Sequence, residues 1–463
     1  MKAIADPSHA LRQGLASIRS QFQVPDTFPA PVISAAEEAA RRKPVEHRDR
    51  TDWPFVTLDP ASSTDLDQAF VIERAENDLL LRYAIADVAW FVRDGDAIDE
   101  EAWRRGTTQY LPDGKAGLYP PVLSEGAASL LPHGPRPAVI FTVRIASDGA
   151  ASLEGAERSI IRSRAKLAYD RVRSADLPTD FAELADRIQR AERERGAARV
   201  NTPEQEIVAT GDGRYELTFR PPLESEVRNA ALSLATNLAI ADVLQAHGTG
   251  LFRVMAEPDE PAVSRLRHTA TAIGLSWPSQ MQLPELERTL DPSNLKQAAL
   301  MLAIQRASLG AGYVPFRSGQ KPWHAAVAAT YAHATAPLRR LADRYVVRAA
   351  LAIGNNEGVP LEVTEAFERL PAVMARADAR DSQIDRAALD LAEAVLLQGH
   401  EGETFDSVVT DIDHRGARIQ LRDLPVVARV AAVGVRAGDQ LKLTLIEADP
   451  DKRRLAFRAV EQA

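Results

Sequence analysis

The sequence predicts an α+β protein, with a large domain of mixed sheets and long helices followed by a small all-β domain. Three observations carry this. Trp53 to about Ile145 alternates apolar and polar residues between turn formers, the period of half-buried strands. From residue 224 onward, long stretches repeat apolar residues every three to four positions, the period of a helix face. After Gly399-His400-Glu401-Gly402 the strand alternation returns and runs to the C-terminus. The chain of 463 residues also exceeds what one hydrophobic core usually supports, so about three units are expected at roughly 150 residues each.

Residues 1–48 read as a helical appendage without a large core of its own. Ala36 to Arg42 is a good helix former, and Pro25, Pro29 and Pro31 mark breaks. Residues 49–400 form the large domain. Leu79 to Val88 and Ala138 to Val143 are its clearest strands, and helices are expected over 165–194. A hairpin from Glu206 to Phe219 turns at Gly211-Asp212-Gly213, and long helices follow at 224–246, 294–308, 337–353 and 372–398. In residues 401–463, Phe405 to Thr410, Ala417 to Leu421, Val426 to Val433 and Leu441 to Glu447 alternate between turns. Four or five short strands in so short a segment fit a barrel of OB type.

With 45% hydrophobic and 26% charged residues, the composition is that of a soluble globular protein. The absence of cysteine excludes disulfides, thiolate zinc sites and a cysteine nucleophile. No window offers the roughly 18 apolar residues of a membrane span, and a cytoplasmic location is expected. A net charge of -9 argues against nonspecific coating of nucleic acid, which needs many phosphates neutralised. It is compatible with an enzyme whose basic residues line one channel and whose carboxylates hold a metal.

Two segments carry chemistry. In the first, Phe55-Val56-Thr57-Leu58 delivers Asp59 to a Pro-Ala-Ser-Ser turn, after which Asp65 and Asp67 stand two apart. In an extended backbone both of these carboxylates face one side. Turns also use Asp for capping, so the trio is as compatible with a structural role as with a metal. The spacing does not fit a calcium EF-hand loop, and hard oxygen ligands favour magnesium or manganese. The second segment is Tyr331-Ala332-His333-Ala334-Thr335-Ala336-Pro337-Leu338-Arg339-Arg340-Leu341-Ala342-Asp343. Thr335 is placed to cap a helix with Pro337 in its first turn, which brings Arg339 and Arg340 to a positive helix end that suits phosphate. Alternatively, Arg339 simply pairs with Asp343 four residues on.

Together the two segments resemble the catalytic domain of the ribonuclease II family. The first is similar to its Asp-Pro-x-x-x-x-Asp-Leu-Asp-Asp-Ala element and the second to its Tyr-x-His-Phe-Thr-Ser-Pro-Ile-Arg-Arg-Tyr-x-Asp element. Between them, in family order, lie Ile85-Ala86-Asp87-Val88, Tyr110-Leu111-Pro112, Ser163 to Tyr169, and Arg195-Gly196-Ala197. The resemblance implies an RNB-type catalytic domain, an RNA-binding OB-fold barrel, and magnesium-dependent hydrolysis of RNA from the 3′ end to nucleoside 5′-monophosphates. Manganese is the possible substitute for magnesium.

By the same resemblance, Asp59, Asp65 and Asp67 hold the metal, with Gln68 a doubtful further ligand, and Asp67, Arg339 and Tyr110 carry catalysis. Tyr110, Arg339, Arg340, Arg164 and Lys166 contact RNA, together with Val200, which stands at the family's stacking Phe. The chain departs from the family pattern at Gln68, where the family has a fourth aspartate, at Val200, at Ala336, and at Ala230-Ala231, where the family helix carries two glutamates. Catalytic weakening, leaving an RNA-binding protein, is the alternative these changes raise. The 48 residues ahead of the large domain are too few for the family's paired cold-shock domains.

Overall fold

The computed structural model describes residues 2–4, 9–197, 204–211, 214–291, 294–308, 310–413, 416–431 and 434–460. At its centre is a five-stranded sheet in the order Arg48–Arg50, Ala151–Ile161, Arg136–Ile145, Asp78–Ala86, Gln68–Ala75. Every neighbouring pair is antiparallel except the first, which is parallel. Strand Asp78–Ala86 is flanked on both sides and buries Leu79, Leu81, Tyr83, Ala84, Ile85 and Ala86. Helices Glu224–Ala246 and Leu341–Gly354 pack against this sheet and against each other. Helix Glu224–Ala246 buries residues around most of its circumference, as a helix enclosed by neighbours must.

Helix Leu361–Leu397 is shared by three cores. Val363, Phe367, Leu370 and Met374 belong to the main one. Ile384, Ala388, Leu391 and Val395 pack with Leu11, Leu15 and Ile18 of helix Ala10–Gln21. Leu397 lies in the core of the C-terminal barrel. The two helices of the second core approach so closely that a Cβ on Gly14 would lie 2.5 Å from Leu391, a separation only glycine permits. The barrel has five antiparallel strands in the order Val427–Val430, Gly416–Leu421, Thr404–Asp413, Gln440–Asp449, Arg454–Ala459, consistent with the expected OB type.

Several expectations need correction. The helix expected from 372 begins at Leu361. Pro371 lies inside it, and burial of Leu370 and Met374 on either side carries the helix through a position that lacks a donor. The helix expected over 165–194 begins at Phe181, because Lys166–Ala168 is drawn into a parallel pairing with Thr57–Asp59. Residues 1–48 are not wholly helical, since Lys2–Ile4 pairs with Arg214–Arg220. The turn residues Asp212 and Gly213 lie outside the described residues. Among the described residues, no helix is long and apolar enough to cross a membrane.

Glu393, on the long helix, joins three parts of the molecule. Its Oε1 accepts from the Gln205 side chain at 2.6 Å and from the Val427 backbone amide of the barrel at 2.7 Å. Burial pushes its pKa up to about 8, from an ordinary 4.5. A carboxyl whose folded pKa is raised stabilises fully below its unfolded value, and that contribution is lost as pH rises through the folded one. Thermal stability is therefore expected to fall between pH 5 and pH 9, and Glu393→Gln to flatten the fall. Equal slopes in wild type and variant, measured by calorimetry, would refute this.

Candidate active site

Asp59 ends the strand Thr57–Asp59, and the turn after it is closed by Lys166, whose Nζ donates to the carbonyls of Ala61 at 2.8 Å and Ser63 at 2.5 Å. Ser129 pins the far side, donating to the Thr64 carbonyl at 2.7 Å and accepting from the Leu66 amide at 2.9 Å. The Asp67 carbonyl then accepts from Ala86, where strand Gln68–Ala75 joins the central sheet. Both ends of the acidic loop are thus fixed by groups outside it. Asp67 is buried. Its Oδ1 accepts from the Leu338 amide at 2.7 Å, and its Oδ2 lies 3.5 Å from Arg339 Nε.

The segment bearing Arg339 is not helical. Helix Leu341–Gly354 starts only after Arg340, so neither arginine emerges from its first turn and Thr335 caps nothing. Side chains and strand-like contacts hold the backbone instead. Asn237 Oδ1 accepts from Ala334 N at 2.9 Å, Gln68 Nε2 donates to the Thr335 carbonyl at 2.6 Å, and Asp343 accepts from Ala336 N at 2.8 Å. Thr108 N donates to the Arg339 carbonyl at 2.9 Å. These bonds outcompete the helical pattern and leave the Arg339 side chain 46% exposed.

Tyr110 projects from the hairpin Gln109–Leu111 and Gly114–Ala116, and its hydroxyl donates to Asp65 Oδ2 at 3.3 Å. Arg19 of the N-terminal helix grips the hairpin's turn through Asp113, with contacts of 2.8 and 3.0 Å. The structure therefore brings Asp59, Asp65, Asp67, Tyr110 and Arg339 together. Arg340 is elsewhere engaged, in a two-contact pair with Asp343 at 2.7 and 3.0 Å. Asp343 is thus the partner of Arg340 rather than Arg339. Arg164 donates to the carbonyls of Thr51 and Asp52, and Lys166 is spent on the acidic loop, so both have structural partners where RNA contact was expected. Val200 lies outside the described residues.

Burial raises two of these carboxyls above the ordinary carboxylate range. Burial pushes Asp67 up to about 8, against the pull of Arg339 and the Leu338 amide, and pushes Asp59 up to about 6, against Arg339. A divalent ion would reverse both shifts. The Asp59 carboxylate accepts no hydrogen bond among the described residues, its carbonyl accepting from the Tyr169 amide at 3.2 Å, and Asp67 Oδ2 meets only Arg339. Among the described residues no three acidic or imidazole side chains already converge in ligand geometry. Two cavities, of about 440 and 720 Å³, flank Met255-Ala256-Glu257, and none of the five residues above lines them. His333, in the second segment, is no candidate base: burial, with Arg340 and Arg253 nearby, holds its pKa well below 6.5.

Sequence reasoning missed Lys115, Tyr83, Ser233, Asn237 and Ser129. Lys115 Nζ lies 2.9 Å from Asp65 Oδ1 and 3.1 Å from Glu125. Its place three residues beyond Pro112 in a turn-rich stretch carried no signal, because the partners are remote in sequence.

An RNB domain spans residues 47–353, and an RNase II-type exonuclease C-terminal S1 domain spans 403–460. The chain belongs to the RNB-domain family and is an exoribonuclease, of a class of metal-dependent hydrolases. More particularly, it is similar to Ribonuclease R of Thermotoga maritima, with 26% identity covering 96% of this chain and 70% of that protein. Mycoplasma genitalium RNase R in complex with ribose methylated single-stranded RNA shares the fold at TM-score 0.87 and 20% identity, over 97% of this chain and 78% of that one. Yeast Ssd1, a pseudonuclease, shares it at TM-score 0.67 and 15% identity, over 97% of this chain and 58% of that one.

A cation must displace the protons that Asp59 and Asp67 hold. Affinity for Mn2+ is therefore expected to rise about tenfold per pH unit between pH 6 and pH 8, where only Asp67 is still protonated, and more steeply below pH 6. Titration calorimetry checks this, and Asp67→Asn should flatten the upper range. A pH-independent affinity would contradict the assignment.

Proposed function

We propose that the chain degrades single-stranded RNA from its 3′ end to nucleoside 5′-monophosphates with magnesium at Asp59 and Asp67. The observation that carries this reading is the convergence of buried Asp67, half-buried Asp59 and half-exposed Arg339 on one another. Magnesium supplies the activation of water for in-line attack on the last phosphodiester. Arg339 meets the charge that develops on the scissile phosphate, with a backbone fixed in advance by Asp67 and Thr108. Tyr110, half exposed at the rim, positions the terminal nucleotide while its hydroxyl stays on Asp65. The C-terminal barrel holds the strand behind the reacting end. A cytoplasmic location fits a chain without cysteine.

The test is incubation of the purified protein with 5′-labelled single-stranded RNA, with magnesium or with chelator. A ladder of shortening products that disappears in chelator is expected. Asp67→Asn should lower kcat at least about 100-fold, and Arg339→Ala about 10²–10³-fold. RNA binding without shortening would replace this reading with a catalytically silent RNA-binding protein; yeast Ssd1, on the same fold, is a pseudonuclease.

A further inference from the structure

Two side chains change the charge of the acidic centre, and both are locked in place. The first is Gln68. Its Nε2 donates to the Thr335 carbonyl at 2.6 Å, and its Oε1 accepts from the hydroxyls of Tyr83 and Ser233, the latter at 3.1 Å. Tyr83 is fully buried and lies 2.7 Å from Ser233. Turning the amide oxygen toward a cation would break all three of these hydrogen bonds. Gln68 is therefore a strut between the central sheet, helix Glu224–Ala246 and the Arg339 segment, and contributes no ligand.

The second is Lys115. Its ammonium sits on Asp65 Oδ1 at 2.9 Å and is steadied from behind by Glu125 at 3.1 Å, with Lys115 24% and Asp65 12% exposed. Tyr110 occupies the other oxygen of Asp65 at 3.3 Å. Both oxygens of Asp65 are thus satisfied by the protein, while the Asp59 carboxylate accepts no hydrogen bond among the described residues and Asp67 Oδ2 faces only Arg339, at 3.5 Å. Many phosphodiester-cleaving centres hold two divalent ions about 3.5–4 Å apart over shared carboxylates. Here Lys115 and Arg339 already face the carboxylates, and the aspartate beside Lys115 has no oxygen left for a second ion.

We propose that Lys115 is a resident cation that occupies Asp65 in place of a second divalent ion, so that the chain takes up one ion, at Asp59 and Asp67. This rests on the reading above that the aspartates hold the catalytic metal. Lys115 is a positioning residue in this scheme, acting through Asp65.

Mn2+ binding to the full chain, followed by electron paramagnetic resonance, tests it without reference to turnover. Wild type is expected to bind one Mn2+ per chain. Lys115→Met, which keeps the stem and removes the charge, should admit a second Mn2+ at least about tenfold more tightly than any second ion in wild type. Lys115→Arg, which keeps the charge, should restore a stoichiometry of one, and serves as the control that the hairpin tolerates substitution. Two Mn2+ of similar affinity in wild type would overturn the proposal, as would a Lys115→Met protein that binds like wild type. If Asp67→Asn also binds Mn2+ like wild type, the aspartate reading itself falls, a result distinguishable from failure at Lys115 alone.

Discussion

The hydrogen bond from the Leu338 amide to Asp67 joins segments 271 residues apart, and the organisation of the site depends on it. It is a buried bond to a carboxylate, of the kind worth roughly 1.5–3 kcal/mol, and it fixes both partners. Asp67 is anchored on the sheet through its carbonyl, while Leu338 precedes the arginine proposed to meet the phosphate. The central sheet and helices Glu224–Ala246 and Leu341–Gly354 form the scaffold on which this single contact is made at the right place. Asn237, Gln68 and Asp343 repeat the device along the same segment. A loop with little internal hydrogen bonding is thus held by side chains from elements that do not move with it, which is how a site on irregular backbone acquires the precision of a regular one.

That arrangement also explains the burial of acid in an apolar setting. Raised pKa values at Asp59 and Asp67 mark carboxylates whose charged forms are poorly solvated without an added cation. Arg339, 3.5 Å from Asp67 but half exposed, offsets part of the cost. A divalent cation bound there would relieve a penalty already present in the fold.

The acidic loop was legible in the sequence because its chemistry is local: three aspartates, a turn and a preceding strand lie within a dozen residues. The barrel was legible for the same reason, since each strand alternates and each turn is short. The choice between Arg339 and Arg340 was not. Adjacent residues carry equal sequence evidence, and only the buried Asp343 decides which is drawn inward. Lys115, Tyr83 and Ser233 were illegible because nothing near them in sequence names their partners. The helix boundary at Pro371 failed for a related reason: local propensity says break, and burial on both sides of the proline says continue. In the basic run from Arg158 to Arg173, Arg158 pairs with Glu46 and Asp87, and Arg173 with Asp176. Charge density alone does not distinguish cations offered to a ligand from cations already used.

Helix Leu361–Leu397 carries the remaining step, from site to barrel. Near its middle, Asp381 accepts from Thr107 at 2.9 Å, three residues before Tyr110, and Asp378 pairs with Arg253 at 2.9 Å. Near its end, Glu393 holds the barrel strand Val427–Val430. The hairpin bearing Tyr110 and Lys115 is therefore gripped from two sides, by this helix through Thr107 and by helix Ala10–Gln21 through Arg19 and Asp113. Those two helices share one core, in which Gly14 meets Leu391. Because a close-packed helix pair transmits displacement rather than absorbing it, the distance from barrel to hairpin is set by one rigid body. The N-terminal segment is thus part of the apparatus that holds Tyr110 against Asp65, and a strand running from the barrel to the aspartates would cross a frame of fixed length.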